Sequence, residues 1–405
     1  MTVLAILQIS AVIYVTMWIL YLFFFPLAAG FRGPRRRRAE PVRTGSPRLA
    51  IIIPAYNMAD VIGDCVASLR HDTDRMDHVA VYVVADHCTD DTAERALAAG
   101  AQVLTRQEGM RGKTYTLAWT FDQLGQLDVV PDLHVIVDAT AQVSPGFLQA
   151  FSESWRQGED IIASRAVVSP TNQKWFAQCL GLMLIHRYLQ GWYRERLGLS
   201  AWLEGRGMAY SRDYIERFGW RLALPAEQKS SHPTEDWRHG VRAAEQGYRV
   251  AFAPEAKVLT PLRRTFVEAT KQNARWERGR FLNAVTHALR LLGQGLKQRR
   301  ALKIFAALDG MQPPVALLGG AACALALWQV CFPAWSAAGL WVYVPLGLVG
   351  MYSLMVAYRG HFEGIHFITL FWAPLYVIWR CASFVLAWVF LDQPAGSVRG
   401  QRKAS

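Results

Sequence analysis

Residues 3–30 form an almost unbroken apolar run that closes on Tyr21-Leu22-Phe23-Phe24-Phe25-Pro26. About 20 such residues already cross a bilayer as a helix, because in hydrocarbon every backbone N–H and C=O must bond within its own segment. The run opens without Lys or Arg and ends without a cleavable small-residue site, so it reads as an uncleaved anchor and not as a signal peptide. Arg32-Gly33-Pro34-Arg35-Arg36-Arg37-Arg38 follows at once. Such clusters stay on the cytoplasmic side, which puts the N-terminus outside and the next domain inside.

Three more apolar blocks, 314–333, 339–358 and 366–391, lie near the other end, each near or above spanning length. Three crossings from the inside leave the C-terminus outside, although Arg399, Arg402 and Lys403 in the tail pull the other way. Arg380 sits within the last block, and a charge there is costly enough that it is expected to face a polar cavity or a partner.

Composition agrees with a membrane protein. Apolar residues are 52% of the 405 and charged residues 19%, against about 45–50% and 25% in soluble domains. Intrinsic disorder is excluded. The excess of 44 Lys+Arg over 32 Asp+Glu gives a net charge of +12, but no base-reading chemistry accompanies it, so no nucleic-acid partner is expected. Cys65, Cys88, Cys179, Cys323, Cys331 and Cys381 are scattered, without C-x-x-C or His at ligand spacing. That argues against a zinc site and a disulfide framework.

Between residues 48 and 165 short β-rich runs alternate with amphipathic stretches. Leu49-Ala50-Ile51-Ile52-Ile53 reads as a buried strand, and Val61, Ile62, Cys65, Val66 and Leu69 then share one helical face. Strands follow at 79–84 and 133–137, with a helix at 91–99 capped by Gly100. Ser144-Pro145 reads as an N-cap with proline in the first helical position. The alternation predicts an α/β domain with a mostly parallel sheet and helices on both faces. Ligands of such sheets sit at the carboxyl ends of the strands, where Pro54-Ala55-Tyr56-Asn57, Asp86 and Asp138 share one rim.

Taken in order, Ile52-Ile53-Pro54-Ala55-Tyr56-Asn57, then Ala85-Asp86-His87-Cys88-Thr89-Asp90-Asp91-Thr92, Gly112-Lys113, Asp138, Thr234-Glu235-Asp236 and Gln272-Asn273-Ala274-Arg275-Trp276 resemble the motif set of family 2 glycosyltransferases. The likeness is to the membrane-embedded branch that includes cellulose, chitin and hyaluronan synthases, and it covers about residues 48–280 with the flanking helices. It implies a GT-A-like, Rossmann-like cytoplasmic domain, a UDP-sugar donor and Mg²⁺ or Mn²⁺.

By that resemblance Pro54, Ala55, Tyr56, Asn57 and Asp86 hold the uridine, although a strand-end carboxylate also suits plain solvation. Lys113 opens a helix, where backbone N–H groups already favour an anion. It reads as a diphosphate ligand or as a surface lysine. Asp138-Ala139-Thr140 takes the place of the family's D-x-D, with Asp138 as the metal ligand and a neutral hydroxyl at Thr140 where a second carboxylate belongs. Either Asp138 and the diphosphate suffice, or metal dependence is weak, or activity is lost.

A hydroxyl attacking an anomeric carbon must shed its proton, and a placed carboxylate can take it. The resemblance assigns that to Asp236, with Glu235 shaping the acceptor pocket. The same tripeptide also suits a helix N-cap. Gln272, Arg275 and Trp276 share a helical face, and in the family the Trp stacks on the acceptor sugar while the Arg faces the departing diphosphate.

Their stretch, 265–292, is apolar and basic, as expected of a helix in the membrane interface or of one packed in a core. Residues 175–197 read as another membrane-facing helix or as a wall of the acceptor site. Glu204-Gly205-Arg206-Gly207-Met208-Ala209 resembles a glycine-bearing loop near the acceptor, with Gly207 in close approach.

The expected order is an anchor (1–30), a basic linker (31–47), the glycosyltransferase domain (48–264), amphipathic interface helices (265–312), three transmembrane helices (313–392) and a tail (393–405). The expected activity is that of a bacterial-type inner-membrane inverting transferase, moving a UDP-activated hexose onto a β-linked exopolysaccharide or oligosaccharide, with the lipid bilayer around its helices. Two alternatives stand beside it: addition of one sugar to a polyprenyl-phosphate lipid, and a catalytically silent subunit among export-complex proteins.

Overall fold

The computed structural model describes residues 2–32, 42–168, 174–220, 235–259, 266–333 and 337–389. The arginines 35–38, Thr234 and the basic tail lie outside them. The chain runs α1 (Thr2–Arg32), β1 (Leu49–Ala55), α2 (Ala59–Thr73), β2 (Val79–Asp86), α3 (Thr92–Ala98), β3 (Gln102–Arg106), α4 (Lys113–Leu124), β4 (Leu133–Val137), β5 (Gln142–Val143), α5 (Phe147–Arg156), β6 (Ile161–Val167), α6 (Trp175–Leu197), β7 (Gly207–Ser211), α7 (Arg212–Phe218), α8 (Glu235–Glu245) and β8 (Ala251–Leu259). After these come α9 (Phe266–Asn283), a π-helical turn (Ala284–Ala288), α10 (Leu289–Gln298), α11 (Ala301–Met311), α12 (Val315–Cys331), α13 (Tyr343–His361) and α14 (Thr369–Val389).

The eight strands form one sheet in the order β3-β2-β1-β4-β7-β6-β8-β5. β3, β2, β1 and β4 are parallel, as the βα alternation requires. β7 runs antiparallel between β4 and β6, and β5 runs antiparallel to β8, while β6 and β8 are parallel. The sheet is thus mixed but mostly parallel: β3, β2, β1, β4, β6 and β8 run one way, and β7 and β5 run against them. The long α6 and the loop after it return the chain at the rim where β4 ends, so β7 starts there with Gly207 opposite Val137 and can only run backwards.

Both faces of β1 are covered, which explains its unbroken apolar run. Leu49, Ile51 and Ile53 pack with Ile62, Val66 and Phe151 on one side. Ala50 and Ile52 pack with Leu117 and Phe121 on the other. The start of α5 departs from expectation: its N-cap is Gly146, at φ +86°, and not Ser144. The orphan amides at this helix start are satisfied from a distance, since the buried Asp72 carboxylate accepts Gly146 N and Leu148 N, each at 2.8 Å.

Among the described residues, three helices are long and apolar enough to cross a membrane, at Val3–Phe31, Gly339–His361 and Thr369–Leu386. The block at 314–333 differs from the expected single span. α12 qualifies only together with α11, and the pair is bent by 60°, because Pro313 and Pro314 break the hydrogen-bond ladder between them. α1 does not stand apart as a tether. Leu22 packs with Ile185, Leu189, Tyr352 and Val356, and Val15, Trp18 and Ile19 pack with Leu318 and Ala322.

One polar cluster is buried in this bundle. Arg194 of α6 donates to Asp309 Oδ1 at 2.5 Å and to Gln190 Oε1 at 3.0 Å. Its guanidinium lies over Phe25 at 3.8 Å and over Trp202 at 4.2 Å. Tyr21 donates to the same Asp309 oxygen at 2.6 Å.

Candidate active site

The rim at the strand ends is where the structure gathers the expected donor residues. Asn57, at φ +50°, exchanges hydrogen bonds with Thr89: its Nδ2 donates to Thr89 Oγ1 at 3.0 Å and its Oδ1 accepts Thr89 N at 2.8 Å. This locks the turn after β1 to the loop after β2. Arg111 lies over the Tyr56 ring at 5.8 Å.

Asp86 is not a solvated strand end. It is buried, with Arg106 Nη1 at 2.5 Å and His87 Nδ1 at 2.9 Å on Oδ1, and Thr116 Oγ1 donating to Oδ2 at 2.7 Å. Arg106 also donates to Met110 O at 2.9 Å, so one guanidinium fixes both the carboxylate and the loop that leads to Lys113.

Lys113 is not a surface lysine either. At the start of α4, its Nζ donates to Asp138 Oδ1 at 2.6 Å and to Gly205 O at 2.7 Å. Asp236 enters from the first turn of α8, its Oδ1 accepting Trp237 N at 2.7 Å. Gly205, at φ +70°, lies between them: a Cβ there would stand 3.1 Å from Asp236 Oδ2 and 3.6 Å from Lys113 Nζ. A fixed ammonium and two carboxylates therefore converge on one backbone position. An electrophile with an anionic leaving group has countercharge on one side here and a proton acceptor on the other.

These groups open into a cavity of about 370 Å³. Lys113, Asp138, Gly205, Asp236 and Trp276 line it, and so do Val315 and Gly319 of α12, Val349 and Val356 of α13, and Ala373 and Val377 of α14. Arg187, Glu204, Arg206, Glu277, Arg280 and Arg380 line it as well. α6 is a wall of this cavity, and Arg380 faces it as its cost in an apolar helix demands.

Arg187 donates to Glu204 at 2.8 Å and Arg380 to Glu277 at 2.5 Å. Arg206 lies over Trp276 at 5.6 Å. Glu204 raises the Arg187 pKa above its ordinary value. Burial, with Arg187, Arg194 and Arg280 nearby, pushes His186 down to about 3. His186 is therefore neutral at working pH and meets Tyr352 Oη at 2.7 Å as a structural neighbour, not as a proton donor.

Not every expected residue reaches the cavity. Gln272 and Arg275 are half-buried on α9 and do not line it among the described residues. The Glu235 side chain lies outside the described set. Gly207 is packed inside the sheet, where a Cβ would stand 2.7 Å from Ser164 Oγ and 2.9 Å from Val258 Cγ2, so Gly205 takes the close approach. Arg106, Thr116, Arg187 and Arg280 have no local pattern that singles them out, because their partners come from other elements.

Mg²⁺ and Mn²⁺ want oxygen ligands, and Mg²⁺ is commonly held by one or two carboxylates with substrate phosphates and water. No three His, Cys, Asp or Glu side chains cluster among the described residues. Asp138 nevertheless offers its Oδ2, since the Lys113 contact takes up Oδ1. The residues fit a cation held mainly by a diphosphate.

Gly205→Ala is expected to cut turnover at least tenfold while lowering stability by only about 1–2 kcal/mol, the cost of a left-handed non-glycine residue. Kinetics beside thermal unfolding checks this, and unchanged turnover would show that Asp236 and Lys113 tolerate a methyl group between them.

A model described as "Glycosyltransferase like family 2" matches residues 47–279. Among solved structures, the mannosyltransferase PcManGT from Pyrobaculum calidifontis, in complex with GDP-Man and Mn²⁺, is similar with a TM-score of 0.58 at 16% identity, over 96% of this chain and 99% of that one. Glucosyl-3-phosphoglycerate synthase from Mycobacterium tuberculosis, with Mn²⁺, UDP-glucose and phosphoglyceric acid, has a TM-score of 0.39 at 19% identity, over 57% of this chain and 79% of that one. No curated protein matches significantly. The family match spans more than half of the sequence, and the strand-end rim lies within it: the chain belongs to glycosyltransferase-like family 2 and is a glycosyltransferase.

Proposed function

We propose that the chain is an inverting, membrane-embedded hexosyltransferase that moves a sugar from a UDP-hexose to a hydroxyl of a lipid-linked acceptor. One observation carries the choice of acceptor. The cavity lined by Asp236 and Trp276 is also lined by α12, α13 and α14, whose side chains there are mostly apolar. Val315, Val349, Val356 and Val377 offer a hydrocarbon tail a surface and offer a growing polysaccharide few hydrogen bonds. The lipid acceptor is therefore favoured over the β-linked polymer that resemblance to the synthases suggests.

In this reading Pro54–Asn57 and Asp86 seat the nucleoside, and Lys113 neutralises the diphosphate. Asp236 takes the acceptor proton as the acceptor oxygen bonds to the anomeric carbon. The bond from that carbon to the diphosphate breaks with its electron pair leaving on the phosphate oxygen. Mg²⁺ or Mn²⁺, held by Asp138 and the diphosphate, would add countercharge on the leaving group. The arginine run after α1 supports a domain on the cytoplasmic face of an inner membrane.

The test is incorporation of labelled sugar by the full chain in lipid nanodiscs, from a panel of UDP- and GDP-hexoses with Mg²⁺ or Mn²⁺. Label is expected in the organic-extractable lipid fraction. Long water-soluble polymer from one donor would establish a processive synthase instead, and nucleotide binding without incorporation would support a silent subunit.

A further inference from the structure

The cavity holds more positive charge than the donor chemistry uses. Arg187 comes from α6, Arg280 from α9 and Arg380 from α14, and all three line the cavity. Two of them are matched, Arg187 by Glu204 at 2.8 Å and Arg380 by Glu277 at 2.5 Å. Arg280 has no hydrogen-bond or ion-pair partner among the described residues.

We propose that Arg187, Arg280 and Arg380 form an anion site in this cavity, which holds a phosphoryl group joining the acceptor's apolar tail to its headgroup; the proposal rests on the lipid-acceptor reading above. A guanidinium that lines a cavity beside apolar side chains is costly unless an anion meets it. Its planar fork suits phosphate oxygens in particular. The surroundings press in the same direction: burial lowers the Arg280 pKa, Glu277 opposes this, and Arg187 and Arg380 add to it. A bound anion relieves both the burial and the repulsion.

The site is separate from the donor's countercharge. Lys113 lies on the sheet rim with Asp138, whereas Arg380 lies on an apolar helix. Arg187 feels the charge of Asp236, so the transfer carboxylate lies next to the arginines on one side and to Lys113 on the other. A headgroup phosphate on the arginines leaves the donor diphosphate to Lys113 and brings the acceptor hydroxyl to Asp236.

The test uses the full chain in phosphatidylcholine nanodiscs and measures equilibrium binding of labelled hexadecyl phosphate, with hexadecanol as the neutral control. The titration holds no sugar donor, so the readout needs no turnover. Wild type is expected to bind the phosphate at least tenfold more tightly than the alcohol, and UDP is expected not to displace it. Arg280→Gln is expected to weaken phosphate binding on the order of 10- to 100-fold, with UDP affinity unchanged as the control for folding, and Arg280→Lys to recover part of the loss.

Equal affinity for the alcohol, or an unaltered Arg280→Gln, would overturn the site. Displacement by UDP, with UDP affinity falling in Arg280→Gln, would assign the arginines to the donor diphosphate and overturn it as well. Binding as expected in a protein that transfers no sugar to lipid would keep the anion site and sink the transfer reading. Transfer to neutral lipids with no phosphate dependence would do the reverse.

Discussion

Asp236→Asn is expected to lower sugar transfer about 10²- to 10⁴-fold, the usual contribution of a placed general base, while UDP affinity changes less than twofold. The substitution keeps the shape of the side chain and the oxygen that accepts Trp237 N at 2.7 Å, so the start of α8 survives. It removes the charge and the proton-accepting oxygen beside Gly205. The other carboxylates at the cavity are already engaged: Glu204 with Arg187, Glu277 with Arg380, Asp138 with Lys113 and Asp309 with Arg194. Steady-state transfer assays beside nucleotide titration measure both halves of the prediction. Near-normal turnover would move the base elsewhere, and a parallel loss of UDP binding would make Asp236 a donor ligand.

Arg194→Leu is expected to destabilise the fold by about 3–5 kcal/mol, the cost of leaving one member of a buried ion pair without its partner. The Arg194 side chain is fully buried and that of Asp309 is 5% exposed. They bring together α6 and α11, while Tyr21 and Phe25 attach α1 to the same point. Asp309 also lines the cavity, so the loss is expected to reach acceptor binding as well as stability. Because well-packed apolar residues often replace a buried pair at little cost, Arg194→Leu with Asp309→Leu is expected to regain most of the stability. Thermal unfolding of the three proteins in nanodiscs decides this. A single variant as stable as wild type would mean that water or another group reaches Asp309.

Much of the catalytic domain was legible in the residues themselves. The βα alternation from Leu49 to Val137 appears as four parallel strands, and Pro54–Asn57, Asp86 and Asp138 stand on one rim as the strand ends require. The antiparallel β7 was not legible, because its direction follows from where α6 delivers the chain and not from its own five residues. The cap of α5 misled for a similar reason: Ser144-Pro145 suggests a local start, but Asp72 of α2 satisfies the amides two residues later.

The same division runs through the site. Resemblance to the family's motif set pointed to Lys113, Asp138, Asp236 and Trp276, which line one cavity, whereas Gly205 takes the approach expected of Gly207. The cost of an arginine in an apolar helix announced Arg380, but not that it would meet Glu277 or stand beside Arg187 and Arg280.

What the sequence determined by itself were the features set by neighbours along the chain: apolar length, helical and strand periodicity, and the turn and helix-start chemistry of the donor motifs. Only the tertiary structure decided that α1 packs into the bundle, that Arg194 finds Asp309, and that the strand-end rim, arginines of α6, α9 and α14, and apolar side chains of α12, α13 and α14 line one cavity. Those pairings join residues far apart in the chain, and a contact made only when distant segments pack leaves no periodic trace in either one.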